Sequence, residues 1–545
     1  MFLHHHPLAE PAMTPTKTLF FALLLATWIG TGLLGHDPWK PDEAYSFGVV
    51  YQMLQSGDWL VPALAGEPFM DKPPLFYMTA AAFAKLLSPH LALHDGARLA
   101  SGLYNALTLM FIGFAGRELF GKGRGWVSAV ILVGCLGMLV RTHFLVTDLA
   151  LLTGCAMMIY GMALSLRRTW LPGLLIGTGV GIGFMSKGFI APILFVSISA
   201  GLLMFRVWRT RAFATTLAVA VLCALPWLTI WPWLLYQRSP HLFLEWAWKL
   251  NIGRWFDYAH KGDFDDAFYY VKILPWFAWP ALPMAAWAVW HARKKVVQQP
   301  EFQLLLVTFA VMLVTLSFVP NIEEIFALPM LLPLSLLATS SLSSLRRGAA
   351  NALDWFGIMT FGFLALLMWS GWLNLYFNSD SRITHWLKNY QPEIEPSFQL
   401  LPFALALFST LLWVVLVWRV GRSIRRSVIN WAAGVTLLWI LAMTLWLPWL
   451  DSSKSYRSMA VSLSESLPAK YNCIASRYLG DNQKAMLHYF GNVITREGGE
   501  RGCSLLLTHG NLSRGDQEQG HWNVIWEGGR IGEKDERYYL YQRAS

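Results

Sequence analysis

Charged residues are scarce in this sequence: only 14% of its 545 residues are Asp, Glu, Lys or Arg, whereas 55% are hydrophobic. A soluble domain usually carries about 25% charged residues, so the composition argues against an ordinary soluble protein. Apolar runs of roughly 16–22 residues occur instead, and such runs are long enough to cross a membrane as helices. Three plain examples are Thr18–Leu34, Gly357–Leu375 and Pro402–Val417. Further runs begin at Val127, Ala150, Pro172, Ala191 and Thr215.

The sequence also lacks a P-loop. The Gly-rich segment Gly179–Gly183 is not followed by the Lys-Ser/Thr pair that a phosphate-binding loop requires. Small residues within an apolar run favour close helix packing instead. Internal repeats and low-complexity linkers are absent as well.

Basic residues give the chain a net charge of +10, but their distribution argues against nucleic acid as a partner. They collect in short breaks between apolar runs, for example at Arg167 and Arg168 and at Arg346 and Arg347. These clusters fall in every second loop, as the positive-inside bias predicts for cytoplasmic loops. Counting from a cytoplasmic N-terminus gives about thirteen spans and an external C-terminal segment. We therefore expect a multi-pass protein of the bacterial inner membrane, surrounded by membrane lipids, with Thr18–Leu34 retained as a signal anchor.

The chain has only five cysteines. Cys135, Cys155 and Cys223 lie in apolar runs, where they are expected to act as small packing residues. Cys473 and Cys503 lie in the polar C-terminal segment. If that segment is periplasmic, these two predict one disulfide, and two free thiols are the alternative.

The distribution of apolar runs divides the chain into two predicted parts. Residues 1–448 are expected to form an all-α polytopic membrane module, with sizeable outer loops at 36–97 and 231–272 around the active site. Residues 449–545 are polar and predict a small periplasmic α/β domain that is too short for a separate enzyme with a deep core. Its predicted strands are Ser504–Thr508, Trp522–Trp526 and Tyr538–Gln542, and a helix is expected near Met459–Leu467.

The first outer loop contains two helical patterns. Apolar residues recur at helical spacing in Tyr45–Leu54, which predicts a short helix on the membrane surface. Leu75–Leu87 is similar but more apolar, and a short transmembrane hairpin is its alternative interpretation.

Ionisable residues beside membrane spans are functional candidates because they are costly to keep there. Asp42 and Glu43 follow the first span, and Asp71 and Lys72 lie in the same loop. Arg141, Asp148 and Lys187 lie beside later spans, and the expected topology places all seven at the outer face.

A lipid-linked transferase needs a carboxylate near an acceptor hydroxyl and cations around the donor phosphate. Asp42 is a candidate base, and Lys72, Arg141, Lys187 and Arg254 are candidate phosphate contacts.

The order of these motifs resembles the GT-C glycosyltransferases, most closely the aminoarabinose transferases of lipid A and the related protein O-mannosyltransferase-like family. Lys40-Pro41-Asp42-Glu43, then Ser56-Gly57-Asp58-Trp59 and Asp71-Lys72-Pro73-Pro74-Leu75, are similar to that group's first periplasmic loop. Further matches follow in order, and the similarity covers roughly residues 20 to 335. These are Arg141 with Asp148, Lys187-Gly188, Pro226-Trp227, Asn251-Ile252-Gly253-Arg254, His260, Tyr269-Tyr270 and Leu274-Pro275.

This resemblance implies a GT-C fold and transfer of a sugar from a polyprenyl (undecaprenyl) phosphate donor to a lipid or glycan acceptor. It implies that Asp42 is the catalytic base, with Glu43 and Asp148 as further catalytic candidates. Tyr45, Trp227 and Tyr269 become candidate substrate contacts. Asp71 and His260 would hold one divalent metal ion, although the family usually has Glu where this chain has Asp71.

The chain departs from the aminoarabinose transferases at two places that bear on the substrate. Ala44-Tyr45-Ser46 follows the Asp-Glu pair where Arg-Tyr is usual, and Glu323 and Glu324 stand where a Lys-Arg pair is often found. These two acids are candidates for contact with an amino sugar, or they belong to a solvated turn. The sugar is therefore 4-amino-4-deoxy-L-arabinose or another, and the acceptor is lipid A or another envelope glycan. Protein O-glycosylation of the mannosyl type is the alternative enzyme, and a lipid or solute transporter is the alternative of another class.

Overall fold

A computed structural model describes residues 15–253, 268–293, 295–319, 322–377, 381–390, 398–419, 424–498, 502–512, 521–531, 533 and 536–544. The described chain is mostly helical, as the apolar runs predict. Its α-helices are Pro15–Gly30, Asp42–Ser56, Leu75–Leu87, Leu93–Phe120, Gly125–Gly134, Asp148–Leu164, Trp170–Lys187, Ile190–Leu203, Arg211–Arg238, Pro240–Leu244, Tyr269–Phe277, Ala281–Ala292, Lys295–Gln298, Pro300–Ser317, Leu328–Ser341, Arg347–Tyr376, Arg382–Tyr390, Leu400–Arg419, Ile424–Thr444, Leu447–Lys454, Arg457–Glu465 and Asp481–Gly491. Short 3₁₀ turns and a π-helix at Glu245–Gly253 complete the helical part.

Within the described ranges, seven helices are long and apolar enough to cross a membrane, and the number rises to nine if each of two bent pairs is one span. The seven are Leu93–Phe120, Arg211–Arg238, Pro300–Ser317, Glu324–Ser341, Arg347–Tyr376, Leu400–Arg419 and Arg425–Thr444. Shorter apolar helices lie among them, including Thr18–Gly30 and Asp148–Leu164. A polytopic architecture is therefore confirmed, while the count of thirteen spans stays a prediction.

One predicted run is broken. The run that begins at Val127 forms the helix Gly125–Gly134 and then turns by 74° into 3₁₀ structure at Leu136–His143. Phe277 packs into this bend so closely that a Cβ at Gly137 would lie 2.4 Å from its ring. The bend places Arg141 beside the first outer loop, where a straight helix would have carried it onward.

The helix Asp148–Leu164 forms the centre of the bundle, since every residue in it except Tyr160 is buried. It meets the helix Trp170–Lys187 where Gly154 faces Gly179, and a Cβ on Gly154 would lie 2.4 Å from the Gly179 carbonyl oxygen. Small residues allow this backbone approach. The prediction that the Gly179–Gly183 segment serves helix packing is therefore confirmed.

The first outer loop folds into two helices. Asp42–Ser56 includes the predicted Tyr45–Leu54 segment, and Leu75–Leu87 is a single helix of 13 residues. Between the two lies a small antiparallel pair, β1 (Ala63–Leu64) and β2 (Glu67–Pro68). The single helix at Leu75–Leu87 rules out the hairpin interpretation of that run.

Strands β3 to β7 form a five-stranded sheet near the C-terminus, which confirms a small α/β part. They are β3 (Ile474–Arg477), β4 (Thr495–Glu497), β5 (Leu505–His509), β6 (Trp522–Gly529) and β7 (Arg537–Arg543), arranged in the order β4-β3-β5-β7-β6. The first three run parallel, and β7 pairs antiparallel with β5 and β6. Cys473 and Cys503 form the predicted disulfide at one end of the sheet. The boundary between residues 448 and 449 stays a prediction.

Candidate active site

A cavity of about 880 Å³ opens beside the first turn of the Asp42 helix. Its wall combines charged groups from the first loop, from several bundle helices and from the C-terminal part with an apolar side. The polar lining includes Asp42, Tyr45, Asp71, Lys72, Lys187, Glu245, Asn251, Glu323 and Asp481. The apolar lining includes Phe189, Ile190, Ile193, Leu250, Ile252, Val319 and Phe326. Such a cavity can hold a molecule with a charged head and a hydrocarbon tail.

Asp42 is the first residue of its helix, so its carboxylate lies beside the unpaired N–H groups that favour negative charge. Its Oδ2 atom is 2.9 Å from Nη1 of Arg141, which comes from the bend after Gly134. Both side chains stay partly exposed, at 21% and 33%. The candidate base and a candidate phosphate contact therefore form an ion pair, in which Asp42 lines the cavity and Arg141 is not among the described lining residues.

Lys72 lies on the same wall. Its Nζ atom donates a hydrogen bond to Tyr45 Oη at 2.6 Å and lies 3.8 Å from Asp71 Oδ2. Burial disfavours the ammonium, but the neighbouring Tyr45, Tyr77 and Asp71 outweigh burial and raise the pKa of Lys72 well above its usual value. Lys72 thus stays a cation at neutral pH.

Lys187 is the last residue of the helix Trp170–Lys187 and lines the same cavity. Its Nζ atom is 2.9 Å from Asp148 Oδ1, and both side chains are under 10% exposed. The same ammonium lies 4.5 Å from the centre of the Phe326 ring. Asp148 supports Lys187 from behind and is not among the described residues that line the cavity.

Glu43, grouped with Asp42 by sequence, points away from the cavity. Its Oε1 accepts from Nε of Arg98 at 2.6 Å, its Oε2 accepts from the Trp39 N–H at 3.0 Å, and the side chain is 1% exposed. Burial works to raise the pKa of Glu43, but the Arg98 guanidinium outweighs it and holds the pKa below its usual value. Arg98 also donates to the backbone oxygens of Leu33 and His36, so this buried pair fixes the turn before Asp42.

Two predicted substrate contacts lie off the cavity wall. Trp227 packs against the helix Trp170–Lys187, where a Cβ on Gly181 would lie 2.2 Å from the indole Cγ. Tyr269 stacks edge-on against Tyr270, with ring centres 5.3 Å apart. Neither belongs to the part of the described chain that lines the cavity, whereas Tyr45 does. The helix Arg211–Arg238 continues past Trp231, so the first residues of the second predicted outer loop are helical.

Arg254 and His260 lie outside the described residues. No group of three or more His, Cys, Asp and Glu side chains suited to a metal ion occurs in the ranges that the structure describes. Asp71, the other predicted metal ligand, has an ammonium 3.8 Å away. The described residues therefore do not by themselves form a metal centre.

Several important residues were not singled out from the sequence. Arg98 has a recognisable signal, because it is a charged residue inside an otherwise apolar stretch with Asp95 three positions before it. Glu245 and Asp481 line the cavity without any such signal. Asp481 lies more than 400 positions after Asp42 and reaches the cavity only through the tertiary fold.

Comparison with known sequences finds relatives among lipid-linked sugar transferases. Residues 71–233 match the family model described as dolichyl-phosphate-mannose-protein mannosyltransferase. The undecaprenyl phosphate-α-4-amino-4-deoxy-L-arabinose arabinosyl transferase 1 of Pseudomonas fluorescens is 26% identical over 389 residues, which cover 66% of this chain and 64% of that protein. The corresponding protein of Sodalis glossinidius is 29% identical over 338 residues, covering 58% of each. The chain therefore matches less than two thirds of the length of these relatives.

Comparison with solved structures extends the likeness over the whole chain. ArnT from Cupriavidus metallidurans bound to undecaprenyl phosphate superposes with a TM-score of 0.68, covering 98% of this chain and 99% of that one at 15% identity. The apo form of the same protein gives a TM-score of 0.69. The chain thus has the ArnT fold, and the resemblance to GT-C glycosyltransferases of the aminoarabinose transferase type is confirmed.

Proposed function

We propose that this protein is a glycosyltransferase that moves a sugar from undecaprenyl phosphate to lipid A or another envelope glycan at the outer face of the inner membrane. The sugar that the sequence relatives favour is 4-amino-4-deoxy-L-arabinose. The observation that carries the proposal is the convergence of Asp42, Lys72 and Lys187 on one cavity with an apolar side. The ArnT fold provides independent support.

The reaction is a displacement at the anomeric carbon. Asp42 takes the proton from an acceptor hydroxyl while that oxygen forms its bond to the sugar. The bond between the anomeric carbon and the phosphate oxygen breaks, and the electron pair leaves with the polyprenyl phosphate. A single base with no separate nucleophile predicts inversion of configuration.

Cations that line the cavity bind the donor phosphate in this scheme. Lys72 and Lys187 both line it, and they stabilise the charge that grows on the leaving phosphate. Arg141, which pairs with Asp42 at 2.9 Å, joins them when the donor binds, because the donor phosphodiester carries one negative charge and gains a second as the sugar leaves. The apolar residues Ile190, Ile193 and Val319 offer a surface for the first prenyl units.

Glu323 supports an amino sugar as the transferred group. It lines the cavity, and burial raises the pKa of its carboxyl group, which works against the charged form. The ammonium of a bound amino sugar favours the carboxylate by pairing with it. Glu324 is not among the described residues of the cavity wall.

Protein O-glycosylation remains the second candidate, because the matched family model describes protein mannosyltransferases. The two candidates share the donor half of the site and differ in the acceptor. A transporter is disfavoured, since transporters usually place ionisable groups near the midplane on broken helices.

The proposed topology has about thirteen spans, a cytoplasmic N-terminus and a periplasmic C-terminal domain. The Cys473–Cys503 disulfide supports an oxidising compartment for that domain. A divalent metal held by Asp71 and His260 stays a separate proposal, and no step above passes through it. Chelation followed by metal replacement, read out as donor binding as well as transfer, tests it.

Mass spectrometry of lipid A and total glycolipids tests the function. Cells with and without the gene are compared with cells that carry Asp42→Asn. We expect one sugar-sized mass to be absent from lipid A in both the deletion and the Asp42→Asn strains. Unchanged lipid A with a lost mass on exported proteins would favour O-glycosylation, and no change in any fraction would contradict a glycosyltransferase.

A further inference from the structure

Residues from the C-terminal part of the chain hold the turn that precedes Asp42. Asp37, five positions before it, is 6% exposed. Its Oδ2 accepts from Ser455 Oγ at 2.6 Å and from Arg457 Nε at 2.8 Å. Arg457 also pairs with the second carboxylate oxygen of Asp37. The turn is therefore tied to residues more than 400 positions away.

Asp451 adds two hydrogen bonds to the same turn. Its Oδ1 accepts from the backbone N–H of Asp37 at 2.9 Å and from the indole Nε1–H of Trp39 at 2.8 Å. Trp39 is 1% exposed, so the indole cannot exchange this acceptor for bulk water without moving. Asp451 therefore holds both a backbone group of the turn, the Asp37 N–H, and a side chain, the Trp39 indole.

Lys40, two positions before Asp42, enters a four-charge network. Its Nζ atom is 3.0 Å from Glu533 Oε1 and 3.1 Å from Glu536 Oε1. Arg530 binds the same two acids, with Nη2 3.2 Å from Glu533 Oε1 and Nε 2.6 Å from Glu536 Oε2. The side chain of Arg530 is fully buried. We call these four residues the Lys40 clamp. A network of several charges fixes the positions of its side chains better than a single exposed ion pair does.

The helix Asp481–Gly491 packs directly on the Asp42 helix. A Cβ on Gly48 would lie 2.4 Å from Ala485 Cβ, so only glycine permits this approach. Farther along, Tyr489 meets the rings of Phe47 and Tyr51 at 4.7 and 5.0 Å. The first residue of this helix, Asp481, lines the cavity. The C-terminal part thus both supports the Asp42 helix and completes the wall in front of it.

We propose that the C-terminal part is a positioning component of the active site, and that the Lys40 clamp sets where the Asp42 carboxylate stands relative to the acceptor. This inference rests on the proposed function of Asp42. A base acts only within hydrogen-bond reach of the proton it takes, and a displacement of about 1 Å costs as much as 100-fold in rate. Lys187 lies on another element, whereas Lys72 meets the Asp42 helix through its hydrogen bond to Tyr45 Oη, so we expect the clamp to affect the base more than donor binding. Lys40 is therefore a positioning residue, separate from the groups that touch the substrates.

Full-length Lys40→Met, Lys40→Arg and Arg537→Met test this role. Arg537→Met is the matched control, because it breaks an ion pair within the C-terminal sheet, 3.6 Å from Glu527, that does not touch the turn. Purified proteins are assayed in detergent for transfer from undecaprenyl phosphate-α-4-amino-4-deoxy-L-arabinose to lipid A. We expect Lys40→Met to lower kcat about 10-fold with a donor KM within twofold of wild type. Lys40→Arg should keep most of the rate, and Arg537→Met should match wild type.

Hydrogen–deuterium exchange of peptides covering residues 36–45 provides a readout that needs no turnover. Lys40→Met should speed exchange there, and Arg537→Met should not. If Lys40→Met fails to fold, Glu536→Gln takes its place, because it weakens the same clamp and leaves Glu533 in position. Wild-type kcat in the clamp variant, or equal losses in Lys40→Met and Arg537→Met, would overturn the proposal. If wild-type protein transfers no sugar, the proposed function fails, and unchanged exchange at residues 36–45 would then overturn the clamp independently.

Discussion

Arg141 Nη1 and Asp42 Oδ2 lie 2.9 Å apart, so the candidate base is held in an ion pair. Asp42 lines the cavity, and both side chains of the pair are partly exposed. In the proposed reaction the donor phosphate competes with Asp42 for the Arg141 guanidinium. The proposal therefore links donor binding to release of the base.

Arg141→Met should therefore raise the donor KM about 10-fold and also lower kcat, because it removes a phosphate contact and the group that orients Asp42. Arg141→Lys keeps the charge but loses the planar fork, and we expect an intermediate effect. Steady-state transfer kinetics of purified protein measure both parameters. A normal donor KM in Arg141→Met would show that Arg141 does not contact the phosphate.

The buried pair of Lys187 and Asp148 allows a structural role to be separated from a binding role. Lys187→Met alone leaves Asp148, whose side chain is 7% exposed, without its cation, and such a loss costs about 3–5 kcal/mol. Adding Asp148→Asn removes that charge and should restore most of the thermal stability. Donor affinity should stay about 10-fold weaker in both variants, because the phosphate contact is still missing. Thermal unfolding in detergent and equilibrium binding of undecaprenyl phosphate measure the two effects, and recovered affinity in the double variant would argue against phosphate binding by Lys187.

Much of the helical architecture could be predicted from composition, because lipid imposes long apolar helices on any chain that spans it. The bend after Gly134 could not, since it depends on Phe277 packing into the space that Gly137 leaves. The small C-terminal sheet was predictable from its alternating strands, and its disulfide from two cysteines in a polar segment.

The site was predictable only in part. Asp42, Lys72 and Lys187 stand out because ionisable residues beside apolar runs are rare. The opposite directions of Asp42 and Glu43 were not visible in sequence, because adjacent helical residues point about 100° apart and nothing local decides which one faces the cavity. In the fold, the ion pair between Arg98 and Glu43, at 2.6 Å, holds Glu43 in the protein interior and leaves Asp42 beside the cavity.

Glu43→Gln should destabilise the protein by about 3–5 kcal/mol, because it leaves the Arg98 guanidinium buried without its counter-charge. The pKa of Glu43 is lowered in the folded protein, so its stabilising effect is present above the usual carboxyl pKa and is lost as pH falls through the folded pKa. The stability difference between wild type and Glu43→Gln should therefore shrink in acid. Thermal unfolding in detergent across pH measures it. Normal stability with lost transfer would instead support a catalytic role for Glu43.

The effect of Asp451 on stability should depend on pH in the opposite direction to that of Glu43. Burial raises its pKa from the usual 3.8 to about 6, and nearby Asp37 adds to the rise, although the hydrogen bond from Trp39 opposes it. Because the folded pKa lies above the unfolded one, the folded state holds the proton more tightly, and stability falls as pH rises from about 4 through 6.

Asp451→Asn removes this charge but keeps an Oδ1 acceptor for the Asp37 N–H and the Trp39 indole. We expect it to stabilise the protein by about 3 kcal/mol at pH 8 and by little near pH 4. Thermal unfolding of wild type and variant from pH 4 to 8 gives the difference curve, and Asp451→Ala, which loses both hydrogen bonds, should show no gain at any pH. A pH-independent difference between wild type and Asp451→Asn would mean that the Asp451 carboxylate is not penalised by burial, and that the turn before Asp42 tolerates the charge beside it.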